Sequence, residues 1–432
     1  MQPANPLKPV PITPDPRPIL LMVTSQDWGG VQAFLFDLAC EMKKRGLPVK
    51  ICSGKNGNPS KSPFIKGDFE TKSPLVKGDL GDFPSGGELG AKCREAGIDF
   101  IDLRWMARDI NPLTNLMSLF ELIRLFRKEK PQAVHLNSTM MGVVGSLAAK
   151  LTSVPWTVYC IGGWVFNEQL PSWKKRFYIW IEKLSAHWKD IIVCVHPGDT
   201  ELARRLKIMP RERLMTIPNG IDVDEFEKQL LDSDAARAVL AVGATPAVET
   251  QNFASLRGTV IGTVANAYPP KNLIWYLDVC KNIHEKDPDI KFVIVGDGPQ
   301  MEQLRRKHTE LKQEDYVLLA GRRMDAKQLY RAFDMFVLPS TKEGMSITLL
   351  EAMAARVPIV ATDVGANKWM LDNTGIIVPP SDLDAMADAI INLAHDEKSK
   401  QELSEKAYQA VRARFSWKST MEQTIRTLYP SR

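Results

Sequence analysis

The sequence contains no apolar run approaching the roughly 20 residues that a membrane-spanning helix needs. Cysteine is scarce: Cys40, Cys52, Cys93, Cys160, Cys194 and Cys280 are scattered without CxxC or any paired spacing. That pattern argues against a disulfide framework or a metal cluster and reads as buried thiols in a reducing compartment. Neither sign of charge dominates, since 56 Lys and Arg against 51 Asp and Glu leave a net charge of +5. Spread over this length, so small an excess does not argue nucleic-acid binding. The first residues, MQPANPLKPVPITPDPRP, lack the basic and apolar regions of a signal peptide, so the expectation is a cytoplasmic protein. Only six histidines are present, and no Ser/His/Asp nucleophile arrangement stands out among them.

What is present is an alternation of short apolar runs with longer helical patterns. In the first half ILLMVT (19–24), PVKICS (48–53), AVHLNS (133–138), WTVYCI (156–161) and DIIVCV (190–195) read as buried strands. The second half repeats the pattern with GTVIGTVA (258–265), KFVIVGDG (291–298), YVLLAG (316–321), MFVLPS (335–340) and PIVATD (358–363). Strands rich in Val and Ile that alternate with helices imply an α/β chain with two parallel sheets, each covered on both faces. The domains expected are a Pro-rich disordered tail at 1–17, an N-terminal Rossmann-like domain at 18–222, a linker region at 223–257, a C-terminal Rossmann-like domain at 258–415 and a closing helix at 416–432. Within the first domain KSPFIKGDF (61–69) and KSPLVKGDL (72–80) form a tandem duplication. Too short for a solenoid, the duplication reads as a flexible insertion over about 55–88.

The stretch STKEGMSITLLEAMAARVPIVATDVG (340–365) places Glu343 before a helix start and Glu351 within that helix, with Ser346 suited to be the N-cap. In parallel α/β sheets ligands bind beyond the carboxyl ends of strands, where a helix N-terminus favours an anion. A carboxylate on either side of an anion site suits a sugar nucleotide, which has a phosphate in the middle and a hydroxyl-bearing ring at each end. Gly296 and Gly298, by contrast, read as a structural turn at a strand end.

This stretch resembles the donor-site signature of retaining glycosyltransferases of family 4, which have the GT-B fold. The likeness extends from about residue 18 to 425 through Gly29 and Gly30, PQAVHLNSTMMGVVGSLAAK, IPNGIDVDEF (217–226), YPPKN (268–272), VIVGDGP (293–299) and DMFVLPSTKEGMSITLLEAMA (334–354). The resemblance implies two Rossmann-like domains facing a cleft, with the donor, a nucleotide diphosphate sugar, held mainly by the C-terminal domain. Lys271 matches the lysine that neutralises the donor pyrophosphate. Glu351 matches the glutamate on the ribose hydroxyls, and Glu343 the one beside the transferred sugar. Backbone N–H groups of Gly344, Met345 and Ser346 are expected to meet sugar or phosphate oxygens, and Gly29 and Gly30 to admit the donor phosphate. Glu343 and Lys271 are the expected catalytic residues. No metal and no cofactor is implied, and the closing helix is expected to pack back on the N-terminal domain.

Three positions depart from the family pattern. Asn266 stands where an arginine usually accompanies the lysine, Gly162 of GGW stands where a histidine is common, and GANKW (365–369) replaces a GGxxE loop. The acceptor implied is a polysaccharide or a lipid-linked glycan. Residues 173–189 interleave Trp173, Phe177, Tyr178, Trp180 and Trp188 with Lys174, Lys175, Arg176, Lys183 and Lys189, a pattern suited to an anionic membrane surface at the inner face of a membrane. Two alternatives stay open: a sugar-nucleotide epimerase of the same fold, and a catalytically silent sugar-nucleotide-binding subunit.

Overall fold

The computed structural model describes residues 15–26, 28–54, 87–106, 112–168, 170–242 and 258–429. The duplicated stretch at 61–80 and most of the Pro-rich tail lie outside them. The chain divides into two units, Met1–Ile217 with Met421–Arg432, and Pro218–Thr420.

The first unit alternates strands and helices throughout: β1 (Ile19–Val23), α1 (Gly30–Lys44), β2 (Val49–Gly54), α2 (Gly87–Glu95), β3 (Asp99–Leu103), α3 (Pro112–Glu129), β4 (Ala133–Asn137), α4 (Ser146–Leu151), β5 (Trp156–Ile161), α5 (Ser172–Ala186), β6 (Ile191–Cys194), α6 (Pro197–Arg205) and β7 (Arg213–Thr216). Its strands form one sheet in the order β3-β2-β1-β4-β5-β6-β7, and every pairing in it is parallel. β1, β4 and β6 are buried at every residue, as continuous apolar runs covered on both faces must be. The last residues of the chain return to this unit, where the Trp156 indole N–H donates to the Thr427 carbonyl at 2.7 Å and Arg45 pairs with Glu422 at 2.7 Å.

The second unit begins with α7 (Val223–Gln229) and α8 (Ser233–Val242), then builds β8 (Val260–Val264), α9 (Leu273–Lys286), β9 (Lys291–Val295), α10 (Met301–Glu310), β10 (Val317–Gly321), β11 (Met335–Leu338), α11 (Ile347–Ala354), β12 (Ile359–Thr362), α12 (Asn367–Leu371), β13 (Ile376–Val378), α13 (Leu383–Ala394) and α14 (Glu397–Arg414). α15 (Trp417–Thr427) runs across the division between the units. The second sheet has the order β10-β9-β8-β11-β12-β13, again with parallel pairings. α9 shows why such helices form: Leu273, Tyr276, Leu277, Cys280 and Ile283 recur at three- and four-residue spacing and are buried against the sheet. In both sheets the strand order reverses once, between β1 and β4 and between β8 and β11. Loops leaving the carboxyl ends of the strands diverge at such a reversal and leave a crevice there.

Lys189 and Glu182 correct one detail of the basic surface expected over 173–189. Both are fully buried, with Lys189 Nζ 3.1 Å from Glu182 Oε2 and 2.9 Å from Ser185 Oγ. The Tyr159 hydroxyl donates to the other carboxylate oxygen at 3.1 Å, and its ring centroid lies 4.1 Å from the ammonium. Burial pulls the Lys189 pKa down, and Glu182 opposes that shift. Removing one partner of such a pair strands the other charge in a dry core, at a cost of about 3–5 kcal/mol. Glu182→Leu is therefore expected to lower the urea midpoint of the first unit markedly, while Glu182→Leu with Lys189→Met recovers most of the loss. Equal midpoints for the single and the double variant would show that the pair carries no such load.

Candidate donor-binding site

In the second unit the reversal of strand order brings together loops that are distant in sequence. The loop after β8 carries Asn266 and Lys271, and the loop after its neighbour β11 carries Glu343. Lys271 Nζ lies 2.6 Å from Glu343 Oε1, and the Ser340 hydroxyl donates to the same oxygen at 2.6 Å. The Glu343 side chain is nearly out of water at 7% exposure, whereas Lys271 keeps 26% and faces solvent at one end. The Thr341 N–H donates to the Pro270 carbonyl at 2.8 Å, which ties the two loops backbone to backbone. Asn272, in the left-handed region at φ +58°, turns the chain directly from the Lys271 loop into α9. Asn266 is exposed on the same loop.

The Gly344–Ser346 segment is fixed from three sides. Ser346 is the N-cap of α11, and its hydroxyl accepts from the Leu349 N–H at 3.4 Å. The Ala366 N–H, in the loop after β12, donates to the Gly344 carbonyl at 2.9 Å. Gly365, next to it, has φ +54°, and a Cβ there would stand 2.2 Å from the Glu343 carbonyl oxygen, so only glycine fits both the angle and the space. From the start of the unit, the Asn219 side-chain amide donates to the Met345 carbonyl at 3.1 Å. Asn219 lies within IPNGIDVDEF (217–226), whose local pattern does not itself point to this contact.

Glu351 lies within α11 and is buried. It accepts from the Tyr330 hydroxyl at 2.7 Å, and Lys327 Nζ approaches its other oxygen to 4.0 Å. Burial holds its pKa above the ordinary carboxylate range, opposed by Lys327 and by the Tyr330 hydrogen bond. Tyr330 and Lys327 carried no sequence signal, because they reach Glu351 from the stretch between β10 and β11 only in the folded unit.

Gly29 and Gly30 belong to the first unit, at its own reversal, where β1 leads into α1. Gly29 is the N-cap with extended backbone at φ −164°, and a Cβ would come to 3.3 Å from Gln32 Oε1, so the turn by itself does not demand glycine. Around Gly162 a Cβ would meet nothing within 4 Å. Gly296 and Gly298 have φ +145° and +159°, and Cβ atoms there would run into the backbone of Ala265 and Ala267. They act as the close-packed turn expected of them.

Comparisons with known proteins bear on both halves. Residues 258–396 match the family model Glycosyl transferases group 1, and residues 29–220 match Glycosyl transferase 4-like domain. A UDP-Gal:alpha-D-GlcNAc-diphosphoundecaprenol alpha-1,3-galactosyltransferase of Escherichia coli is 28% identical over 324 residues, 72% of this chain and 81% of that one. The capsular polysaccharide biosynthesis glycosyltransferase CapM of Staphylococcus aureus is 26% identical, over 72% of this chain and 80% of its own. Among solved structures, Anabaena Alr3699/HepE in complex with UDP and glucose superposes with a TM-score of 0.71 at 18% identity, covering 95% of this chain and 99% of that one. Sucrose-phosphate synthase of Thermosynechococcus elongatus gives 0.70 at 19% identity, covering 95% and 98%. At these identities the structural likeness speaks for the fold alone, and that fold is GT-B.

If Asn219 holds the Met345 peptide, Asn219→Ala is expected to speed hydrogen exchange at the Gly344–Ser346 amides while leaving β8 and β11 protected. Unchanged exchange at those amides would remove the role.

Proposed function

The chain belongs to glycosyltransferase family 4, and we propose that it moves a hexose or N-acetylhexosamine from a nucleotide diphosphate sugar to a polysaccharide or lipid-linked acceptor, with retention of configuration. The observation that carries this reading is the meeting of Lys271 and Glu343 at the crevice of the second sheet, beside the capped start of α11 and the buried Glu351. The Escherichia coli relative is named for a UDP-sugar and a diphosphoundecaprenol acceptor, which makes a UDP-sugar the first donor to try.

In this reading the bond between the sugar C1 and the diphosphate oxygen breaks, and the acceptor hydroxyl forms the new bond to C1 on the same face. The acceptor proton passes to the departing diphosphate. Charge that develops on the leaving group is met by the Lys271 ammonium and by the N–H groups of Gly344, Met345 and Ser346, with no metal ion or other cofactor required. Glu343 exchanges its hold on Lys271 for the sugar hydroxyls, and Glu351 accepts from the ribose hydroxyls. Gly29 and Gly30 offer backbone N–H groups at the start of α1 to a phosphate. The protein works on the cytoplasmic side of the membrane that carries its acceptor. A second reading, a binding subunit without catalysis, is favoured by Asn266, whose neutral amide stands where a second cation is usual, and by the open space at Gly162.

Charge-assisted hydrogen bonds of the kind assigned to Glu351 are worth about 1.5–3 kcal/mol each. Glu351→Ala is expected to weaken nucleoside diphosphate binding by about tenfold or more in calorimetry. Because the ionised carboxylate accepts the hydroxyls and its pKa is raised, wild-type affinity falls as acid protonates Glu351, and this component of the pH dependence vanishes in the alanine variant. Glu343→Gln is expected to leave diphosphate affinity nearly unchanged and to slow transfer by about tenfold to a thousandfold, since a group positioning the sugar acts in the transition state. A wild type that binds a donor yet releases no diphosphate with any acceptor, membranes included, would replace transfer with the binding-subunit reading.

A further inference from the structure

The outer surface of the first unit carries two apolar stripes. On α3, Leu113, Leu116, Met117 and Phe120 recur at three- and four-residue spacing and are exposed, Leu113 to 68% and Phe120 to 60%. On α5, Trp173, Phe177, Trp180 and Leu184 do the same, with Trp173 at 68%. Scattered exposed apolar side chains are ordinary, but aligned stripes of large ones are not.

The two helices share one layer. The crossovers β3 to β4 and β5 to β6 advance across the sheet in the same direction, so right-handed connections put α3 and α5 on the same face. Their inner sides confirm it, since Leu122 and Phe126 of α3 and Ala186 of α5 enter a single core cluster with Met141 and Val144. Both outer faces therefore point away from the same side of the sheet.

The charge on these faces has one sign. α5 carries Lys174, Lys175, Arg176 and Lys183, while its acid, Glu182, is buried against Lys189. The last turns of α3 carry Arg124, Arg127 and Lys128. Of its two acids, Glu121 accepts from the Arg104 and Trp105 backbone N–H groups and Glu129 pairs with Lys50. Neither helix presents an exposed carboxylate. A second copy of the chain would bring the same positive charge against this one, whereas an anionic bilayer offers both the acyl boundary for the aromatic rings and the counter-charge.

We propose that the outer faces of α3 and α5 together form a docking surface for an anionic lipid bilayer. This deepens the proposed function by naming how the membrane bearing a lipid-linked acceptor is met, and it rests on that reading for its purpose alone. The surface differs from the one expected over 173–189 in losing Lys189 to the core, Tyr178 to packing against that core and Trp188 beyond the end of α5, and in gaining the outer face of α3.

The test is flotation of the full chain with phosphatidylcholine vesicles and with phosphatidylcholine–phosphatidylglycerol vesicles, without donor or acceptor. Wild type is expected to float with the mixed vesicles only, and less at high salt. Leu116→Glu with Phe120→Glu on α3, and separately Trp173→Ala with Trp180→Ala on α5, are each expected to abolish most of that binding. Lys174→Ser with Lys175→Ser is expected to weaken it by about fivefold per cation removed. Absence of wild-type flotation, or wild-type flotation of the α3 variant, would overturn the proposal. So would a wild-type dimer that these substitutions convert to monomer. Nucleoside diphosphate affinity is measured on the same samples: lost flotation with intact nucleotide binding supports the surface, and flotation by a protein that binds no nucleotide leaves the surface standing while the glycosyltransferase reading falls.

Discussion

The second unit is organised by one ionic contact, Lys271 with Glu343 at 2.6 Å, and that contact exists because the strand order reverses between β8 and β11. A parallel sheet directs every strand's carboxyl end to the same edge, and a reversal leaves the two central loops without a crossover helix between them. Whatever those loops carry must meet. Here they carry a cation and a carboxylate, and the backbone bond from Thr341 to Pro270 sets the distance between them.

Holding a carboxylate nearly out of water is costly unless its oxygens are partnered. Glu343 has Lys271 and Ser340, while Gly365 lets the loop after β12 close against its carbonyl. Glu351 is partnered differently, by the Tyr330 hydroxyl and a distant Lys327, and burial accordingly raises its pKa. The two glutamates therefore lie in unlike surroundings: one is already neutralised by a cation, and the other needs further donors to remain ionised comfortably. A ligand that brings an anion for Lys271 and hydroxyl donors for both carboxylates satisfies all three groups at once. In the first unit the same architecture leaves α3 and α5 on one face, with the helical segment 141–151 between them, apolar and cationic outward.

Much of this was legible in the sequence. The continuous Val- and Ile-rich runs gave the central strands, and Ser346 announced the start of α11. β3, β7 and β13 were not foreseen, for a physical reason: each is an edge strand, half-exposed, and DFIDL, RLMT and IIV do not form the long apolar runs of strands buried on both faces. Lys189 read as surface charge because its partner Glu182 lies seven residues away on the helix flank, and only the packed core reveals that both are inside. The α3 stripe escaped notice since PLTNLMSLFELIRLF is apolar on more than one side, and periodicity alone does not say which side meets water. Tyr330, Lys327 and Asn219 reach the site through tertiary proximity that no local pattern encodes.

The central claim is that Lys271 and Glu343 act as one unit on the donor, and a double-mutant cycle on transfer rate tests it. Lys271→Ala, Glu343→Gln and the double variant are compared with wild type on a nucleotide diphosphate sugar from which wild type transfers. Groups that act together lose their function once, so the double variant is predicted to be no slower than the worse single one by more than a small factor. Losses that multiply in full would mean that the two residues contribute independently and would contradict the account.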